Sequence, residues 1–219
     1  MKTAVILSGC GVRDGSEIHE AVLAVLSLKE AGHSVDFYAP DKAQSMVINA
    51  ATGKPAHETR NVLAESARIA RGEIRALSAL DVEAYDAVVL PGGFGAAVNL
   101  CDFGSRGAAC EVDRELADVL RKCRKSAKIM GFMCIAPVIA ARLFGGEGVH
   151  VTVGQASSAS AACERMGAVH EVCRYDEACI DRTLRIVTVP AYMDAEDIVA
   201  CHASAKALVR GMETLAGEA

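Results

Sequence analysis

The sequence predicts an α/β fold in which a doubly wound, mostly parallel sheet carries helices on both faces. One observation is compositional: 52% of the 219 residues are hydrophobic, but only 4% are aromatic and none is tryptophan. Abundant alanine, valine and leucine suit helices packed on a sheet better than a sandwich of two sheets. The other observation is the alternation of short apolar runs with helical patterns, which is typical of parallel strands joined by helices.

The first half of the chain contains three strand-like runs. "KTAVILSG" ends in glycine, "SVDFYAP" follows it, and "YDAVVLPGG" ends in a pair of glycines. Between the first two runs, residues 16 to 31 form a helical pattern that "AGH" ends, with one apolar face made by Ile18, Val22, Val25 and Leu26. A strand, a glycine turn and a helix in this order open a parallel unit.

The second half continues the alternation. A helix is predicted near 111 to 124, then the strand "KIMGFM" that ends at Cys134, and later the strands "GVHVTVG" and "LRIVTVPAYM" before a closing helix. The polar segment from 41 to 79 is predicted to contain a helix at about 59 to 71, lying over one edge of the sheet. We expect a single domain over residues 1 to 219, because this length suffices for one full core but hardly for two.

The charge of the chain argues against two classes of partner. The net charge is -5 and the basic residues are scattered, so nothing attracts the phosphates of nucleic acid or an anionic lipid surface. The opening "MKTAVILSGC" is too short in its apolar part for an export signal, and no other segment approaches the ~20 apolar residues of a membrane span. We therefore expect no nucleic-acid partner and no membrane.

The nine cysteines are odd in number and include no C-x-x-C pair. A disulfide framework or a zinc site would need regular pairing. The sequence therefore predicts reduced thiols, a cytoplasmic protein and no metal, with most cysteines acting as small core residues.

Three features are predicted to meet at one edge of the sheet. In open parallel sheets the ligand site forms beyond the carboxyl ends of the strands, where the strand order reverses. Two candidate acids, Glu17 and Glu20, come after the first strand. Gly92 and Gly93 come after the third, and Cys134 comes after "KIMGFM".

Cys134 is the candidate nucleophile. A residue at a sharp turn from strand to helix stands above the sheet, and the N-terminus of the next helix lowers the pKa of a thiol placed there. "GFMCIAP" matches the small-residue pattern of such turns only at Gly131 and Ala136, so an inert core thiol is the alternative.

The neighbouring features could complete a catalytic site. The side-chain-free N–H groups at Gly92 and Gly93 could approach a substrate oxygen and form an oxyanion site together with the N–H of Ile135. A glutamate such as Glu20 in the first turns of a helix usually faces water. Buried against a thiolate, it would instead keep its proton and could act as a proton shuttle near neutral pH.

Several longer motifs resemble a known family. "DGSEIHEAV", "PGGFGAAVNL" and "GFMCIAP", with "TRNVLAESARIARGEI" and "IVTVPAYM", resemble the ElbB family of isoprenoid-biosynthesis-associated proteins in the ThiJ/PfpI superfamily, which has a glutamine-amidotransferase-like fold. The similarity runs over nearly the whole chain. It implies a flavodoxin-like architecture, a homodimer, a reactive cysteine at Cys134 and oxyanion donors at Gly93 and Ile135. The superfamily spacing puts the acidic partner at Glu20 rather than Glu17.

The resemblance also implies an activity, that of a glutathione-independent glyoxalase acting on a small carbonyl substrate. In such a reaction the Cys134 thiolate adds to the aldehyde, and Glu20 moves protons between carbon and oxygen. Water then releases glycolate from glyoxal, or lactate from methylglyoxal. No metal or other cofactor is needed.

A histidine beside the thiol, as amidotransferases and related proteases have, is not predicted with any clarity. His150 begins "HVTVG" and would lie ~13 Å from the active edge if that strand is parallel. We therefore interpret His150 as an edge or surface residue, with a catalytic base as the alternative. His19, beside Glu20, is a candidate for lining the site.

The predicted helix at 59 to 71 and a late strand supply further candidates. Asn61, Glu65 and Arg68 share one helical face, which is either a solvated ion pair or a wall that closes over the pocket, with Arg68 binding an anionic product or fixing Glu65. Tyr192, in "PAYM", is a candidate pocket wall.

Two other classes of function stay open. The chain could be a redox or stress sensor whose signal is oxidation of Cys134, or an accessory subunit that keeps an amidotransferase-like scaffold without catalysis. A glyoxalase should lose turnover on Cys134→Ser and on Glu20→Gln alike. A sensor should keep its interactions in the Ser variant and lose its peroxide response.

Overall fold

The computed structural model describes residues 1–218 and contains nine strands and eight α-helices in that range. The strands are β1 (Lys2–Ile6), β2 (Ser34–Ala39), β3 (Ile74–Ala76), β4 (Ala87–Leu90), β5 (Ile129–Met133), β6 (His150–Val151), β7 (Val169–His170), β8 (Cys179–Asp181) and β9 (Ile186–Val189). The helices are α1 (Ile18–Glu30), α2 (Val62–Ile69), α3 (Phe94–Val98), α4 (Phe103–Arg106), α5 (Arg114–Lys125), α6 (Pro137–Phe144), α7 (Ser158–Arg165) and α8 (Ile198–Gly217). None of these helices is both long and apolar enough to cross a bilayer.

Seven strands form one sheet in the order β3-β2-β1-β4-β5-β9-β8. Every neighbouring pair is parallel except β8 and β9, which are antiparallel. The chain runs outward from β1 to β3 and then crosses to the other side of β1 with β4, so the strand order reverses between β1 and β4. The predicted doubly wound, mostly parallel sheet is confirmed, and its reversal point marks where a ligand site is expected.

Helices cover both faces of the sheet, because alternate residues of each strand point to opposite sides. Ala4 and Ile6 of β1 belong to the buried cluster that includes α5 and α6, whereas Val5 belongs to the cluster that includes α1 and α8. All residues of the central strands β4 and β5 are buried, as is usual for parallel strands covered on both faces.

Helix α1 does not bury its apolar stripe. Ile18, Val22 and Leu26 are 44%, 49% and 41% exposed, while alanines such as Ala21 and Ala24 lie on the buried side. The small alanine side chains let α1 pack against α8 and the sheet. Of the four residues that the sequence spacing identifies, Ile18, Val22 and Leu26 therefore face outward, whereas Val25 packs against the buried cluster.

The segment "GVHVTVG" forms only the short strand β6, which pairs with β7 in a separate two-stranded ribbon. Two backbone amides of this segment donate to side chains of the β8–β9 hairpin. The N–H of His150 donates to Oδ2 of Asp181 at 3.0 Å, and the N–H of Thr152 donates to Oγ1 of Thr188 at 2.7 Å. The edge strands β3 and β8 are not predicted, because three residues carry no usable periodicity.

The helix predicted at about 59 to 71 is confirmed as α2. It begins after Asn61, whose side chain caps it by accepting the N–H of Ala64 at 3.0 Å. The helix predicted near 111 to 124 is α5, which begins after Asp113, another capping residue.

Candidate active site

Cys134 occupies a strained turn directly after β5. Its φ of 58° lies in the left-handed region that residues other than glycine rarely adopt. The backbone N–H of Cys134 donates to the carbonyl oxygen of Val189 at 3.0 Å, and α6 begins with Pro137 three residues later. Neighbouring structure thus holds the turn in place, as is common where a side chain must be aimed at a ligand.

Two backbone N–H groups face the sulfur of Cys134, those of Gly93 and Ile135. Gly93 reaches this position with a φ of 91°, which glycine adopts without strain. Both N–H groups would stabilise a thiolate, and donors beside the sulfur are candidates for stabilising an oxygen that forms on a carbon bound to it. The structure therefore brings the two predicted oxyanion donors together at the thiol.

Gly92 separates Cys134 from Glu20. A Cβ atom at position 92 would collide both with Cβ of Cys134 and with Oε2 of Glu20. Its N–H lies on the side of the Glu20 carboxyl and lowers the pKa of that group, and its carbonyl accepts the N–H of Glu17 at 3.0 Å. Gly92 therefore supports the acid, in place of the oxyanion contact that the sequence predicts.

Glu20 lies in the first turn of α1 and is fully buried. Its Oε1 accepts the N–H of Tyr192 at 3.2 Å. Its Oε2 has no conventional hydrogen-bond partner among residues 1–218 and lies on the side of the Cys134 thiol. Burial raises the pKa of this carboxyl to about 7, although the thiol and two backbone N–H groups act in the opposite direction. Glu20 can therefore exchange a proton near neutral pH.

The pKa of the Cys134 thiol is raised, whereas the sequence predicts that it is lowered. Burial is the largest cause and the charge of Glu20 adds to it, while the N–H groups of Gly93 and Ile135 oppose it. Burial disfavours the charged thiolate, and ionising Glu20 as well would put a second negative charge in the same buried site. The pair therefore retains a proton, and an ionised Glu20 is placed to accept it from the sulfur.

A cavity of about 500 Å³ opens above Cys134. The acids Glu17 and Glu20 lie on its wall, and Glu17 also caps α1 by accepting the N–H of Glu20 at 2.7 Å. Most of the remaining wall is apolar and is formed by Val12, Phe94, Phe103, Ile135, Ala159, Tyr192 and Met193.

Sequence reasoning finds only Ile135 and Tyr192 among these apolar wall residues. Phe94 directly follows the predicted glycine pair, so its position beside the turn could have been found from the motif "PGGFG". Met193 directly follows Tyr192 in "PAYM", so it too has a local signal. Phe103 has no such signal, because contacts between distant segments bring it to the cavity.

Tyr192 lines the cavity and also contacts Glu20. Besides its backbone contact with Glu20, its hydroxyl is hydrogen-bonded to Nδ1 of His19 at 2.8 Å. His19 is exposed and does not line the cavity, so it supports Tyr192 from outside. His150 lies on β6, and its Nδ1 is 2.6 Å from Oε1 of Glu171. Among the described residues that line the cavity, none is a histidine.

Asn61, Glu65 and Arg68 lie away from the cavity. Arg68 makes two hydrogen bonds to Glu65, at 2.9 and 3.2 Å, and Arg60 lies 3.5 Å from the same carboxylate. The interpretation that this face closes over the pocket is wrong, because two arginines neutralise Glu65 and Asn61 caps the helix. The ion pair is the interpretation that the structure supports.

All nine cysteines are free thiols. Burial raises the pKa of core thiols such as Cys123 and Cys163 to about 12, and Cys134 differs from these by its strained turn and its buried acid. No three His, Cys, Asp or Glu side chains within residues 1–218 are grouped to hold a metal ion.

Two curated relatives align with nearly the whole chain. The "ES1 protein homolog, mitochondrial" of Rattus norvegicus is 41% identical over 227 residues, which cover 99% of this chain and 85% of the relative. The "Glutamine amidotransferase-like class 1 domain-containing protein 3, mitochondrial" of Homo sapiens is also 41% identical, with 99% and 84% coverage. No family model matches the chain.

The names of these relatives contradict the expected cytoplasmic location, since both are called mitochondrial. The expectation is wrong because reduced cysteines indicate only that disulfides are missing, and they do not distinguish one reducing compartment from another.

Two crystal structures extend the comparison. The isoprenoid biosynthesis protein with amidotransferase-like domain from Ehrlichia chaffeensis is 32% identical, with a TM-score of 0.91 over 98% of this chain and 99% of that one. A ThiJ/PfpI domain protein from Brachyspira murdochii is 13% identical, with a TM-score of 0.60 over 100% and 97% of the two chains, and so shares the fold. This chain therefore belongs to the family of ES1 and glutamine amidotransferase-like class 1 domain proteins.

Proposed function

We propose that the chain is a cofactor-free glyoxalase that converts glyoxal into glycolate, and methylglyoxal into lactate, without glutathione. The observation that supports this most strongly is the contact of Cys134, on its strained turn, with a fully buried carboxyl whose pKa is raised to about 7. A nucleophile and a group that gives and takes protons at neutral pH are what this reaction requires.

In the first step the sulfur of Cys134 bonds to one aldehyde carbon while the thiol proton passes to Glu20. The carbonyl electron pair moves onto oxygen, where the N–H groups of Gly93 and Ile135 stabilise the charge. Return of the proton from Glu20 to this oxygen gives a neutral hemithioacetal.

In the second step Glu20 removes the proton from the carbon bound to sulfur, which gives an enediolate while Glu20 holds the proton. Protonation of the neighbouring carbon then produces a thioester, so one carbon is oxidised and the other reduced within the same molecule. Water cleaves the thioester to hydroxy acid and free thiol. In total, one dicarbonyl and one water give one hydroxy acid, and Glu20 returns to its starting protonation state.

Purified protein free of glutathione tests the proposal. It should form glycolate from glyoxal, measured by chromatography, and Cys134→Ala should abolish this activity. Cys123→Ala, at a buried thiol in α5, is the matched control and should retain activity. Glycolate formation that is equal with and without Cys134 would refute the proposal.

A peroxide sensor is the weaker alternative. Such sensors use exposed thiols with a low pKa. Cys134 is 9% exposed and its thiol pKa is raised by burial and by Glu20. Both observations disfavour a peroxide-sensing thiol.

We also infer that the chain forms a homodimer through α1. The resemblance to the ElbB family implies a dimer, and the stripe of Ile18, Val22 and Leu26 is an outward apolar surface of the kind that interfaces cover. Val22→Arg should shift the protein to monomer in sedimentation velocity. Val172→Arg, at an apolar side chain that is 61% exposed elsewhere, should not.

A further inference from the structure

We propose that the preferred substrates are uncharged 2-oxoaldehydes with an apolar substituent, of which an arylglyoxal is the simplest probe, and that anionic carbonyl compounds are excluded. This inference rests on the proposed glyoxalase function and names the substrate class of the same site. The observations that carry it are the size of the cavity, the chemistry of its wall and the signs of its charges.

The cavity is too large for a two-carbon dialdehyde. Its volume of about 500 Å³ falls in the range of ~300–1,000 Å³ that is typical of sites for much larger organic ligands. Glyoxal bound to Cys134 would occupy only the floor beside Glu20 and leave most of the wall in contact with water. A substituent on the second carbonyl carbon would extend into this unused volume.

The unused volume has an apolar wall. Phe94, Phe103 and Ile135 lie on it together with Ala159, Tyr192 and Met193. At the mouth, Phe94 is 41% exposed and Met193 is 37% exposed, so apolar side chains stay in water when nothing is bound. An apolar ligand group would cover them, and burial of apolar surface favours binding.

The charged groups on the wall have one sign. Glu17 and Glu20 are acids, and no Lys, Arg or His is among the described residues that line the cavity. A carboxylate or phosphate on the ligand would lose its water shell without gaining a cation, and it would also face the negative charge of Glu17. The site is therefore selective against anions by charge as well as by polarity.

The chemistry is unchanged for the larger substrate. With phenylglyoxal, sulfur bonds to the aldehyde carbon, the proton on that carbon moves through Glu20 to the adjacent ketone carbon, and water cleaves the thioester. The product is mandelate, formed from one phenylglyoxal and one water. The phenyl ring stays bonded to the reduced carbon and points away from the sulfur.

Initial rates on three substrates test the inference in the protein of residues 1–219. We expect kcat/KM for phenylglyoxal to exceed that for glyoxal about tenfold or more, since even one buried methylene can give ~10-fold discrimination. The anionic analogue 4-carboxyphenylglyoxal, which has the same ring, should fall at least tenfold below phenylglyoxal. Phe103→Ala should reduce the preference for phenylglyoxal over glyoxal, and Met193→Lys should raise the relative rate on the carboxylated analogue.

Alkylation of Cys134 gives a second measurement that needs no turnover. The thiol displaces iodide from N-benzyl iodoacetamide, iodoacetamide or iodoacetate, and peptide mass spectrometry locates the product. For each reagent, the alkylation rate of Cys134 in the folded protein is divided by the rate in the unfolded protein. These ratios should decrease in the order N-benzyl iodoacetamide, iodoacetamide, iodoacetate. The benzyl preference should diminish in Phe103→Ala.

The two measurements separate the possible failures. Turnover of glyoxal with equal or lower kcat/KM for phenylglyoxal would refute the apolar substrate class and leave the glyoxalase function standing. No turnover of any aldehyde, with the alkylation order as expected, would refute the glyoxalase function and with it the substrate class, and would leave only the selectivity of the cavity. Efficient turnover of 4-carboxyphenylglyoxal would refute the exclusion of anions.

Discussion

Glu20 and Glu65 are both buried glutamates in the first turn of a helix, yet their surroundings differ. Glu65, in α2, is 7% exposed and is held by Arg68 and by Arg60. Glu20, in α1, is completely buried and interacts with the N–H of Tyr192 and the thiol of Cys134.

The difference shows how the same residue type acquires two roles. A carboxylate paired with arginines, as Glu65 is with Arg60 and Arg68, has its charge neutralised and holds its own helix start in place. A carboxyl buried without such a pair has a raised pKa and can carry a proton near neutral pH. Both glutamates occupy the same place in a helix, so their position does not explain the difference. The presence of a cation makes Glu65 a structural group, and the lack of one makes Glu20 a candidate proton shuttle.

The largest expected effect contrasts the two glutamates directly. Glu20→Gln should lower kcat/KM for glyoxal by ~10²–10⁴-fold, the usual contribution of a general acid or base, because the amide cannot accept the thiol proton. Glu65→Gln should leave turnover nearly unchanged, although it lowers stability. Steady-state kinetics of both variants measure this, and equal losses would remove the distinction.

The second prediction concerns the spacing between thiol and acid. Gly92→Ala should reduce turnover by about 100-fold, since an extra methyl group must push Cys134 and Glu20 apart and a small misplacement at a catalytic site has effects of that size. Gly146→Ala is the control, because a Cβ there meets no atom within 4 Å. Circular dichroism should show both variants folded, and a fully active Gly92→Ala protein would contradict the geometry.

The third prediction is a pH dependence of stability. Because Glu20 keeps its proton up to about 7 in the folded chain and only to about 4.5 when unfolded, its contribution to stability is complete below 4.5 and is lost as the pH rises through 7. Relative to the native chain, Glu20→Gln should therefore gain roughly 3 kcal/mol in unfolding free energy over this interval. Urea unfolding at several pH values measures it. A constant difference between the two proteins would show that the pKa is not raised.

The fourth prediction is a pH dependence of rate. If ionised Glu20 accepts the thiol proton, kcat/KM should rise about tenfold per pH unit below 7 and level off above it. The rise should disappear in Glu20→Gln and persist in Glu65→Gln. A rise that remained in Glu20→Gln would assign the titration to another group.

The smallest expected effect is at Arg68. Its side chain is 66% exposed, and exposed ion pairs contribute little. Arg68→Ala should lower Tm by at most about 3 °C, since Arg60 still faces Glu65, and should not change turnover. A large loss of activity would show that the α2 face takes part in the site after all.

The parts of the site that can be predicted are those marked by a pattern of residues close together in sequence. Cys134 can be located because an apolar run ends there and a proline follows, and Gly92 and Gly93 because they directly follow a strand. Asn61 and Asp113 carry local capping signals too, but periodicity alone placed the two helix starts two residues before these caps, at about 59 and 111.

Other parts depend on contacts between distant segments. The outward direction of Ile18, Val22 and Leu26 follows from how α1 packs on α8, and the spacing within the helix carries no information about that choice. Likewise, the backbone amides of His150 and Thr152 donate to the side chains of Asp181 and Thr188, which are far away in sequence.

The sequence by itself determined the doubly wound sheet, the edge where the site lies and Cys134 as the residue to examine there, and the family resemblance chose Glu20 over Glu17. Tertiary structure alone decided their protonation and their surroundings. It raised the pKa of both groups by burying them together, and it assembled an apolar cavity without cations from Phe94, Phe103 and Met193. The physical reason is that strands and turns follow from local sequence pattern, whereas desolvation and charge pairing depend on what the whole fold brings within a few ångströms.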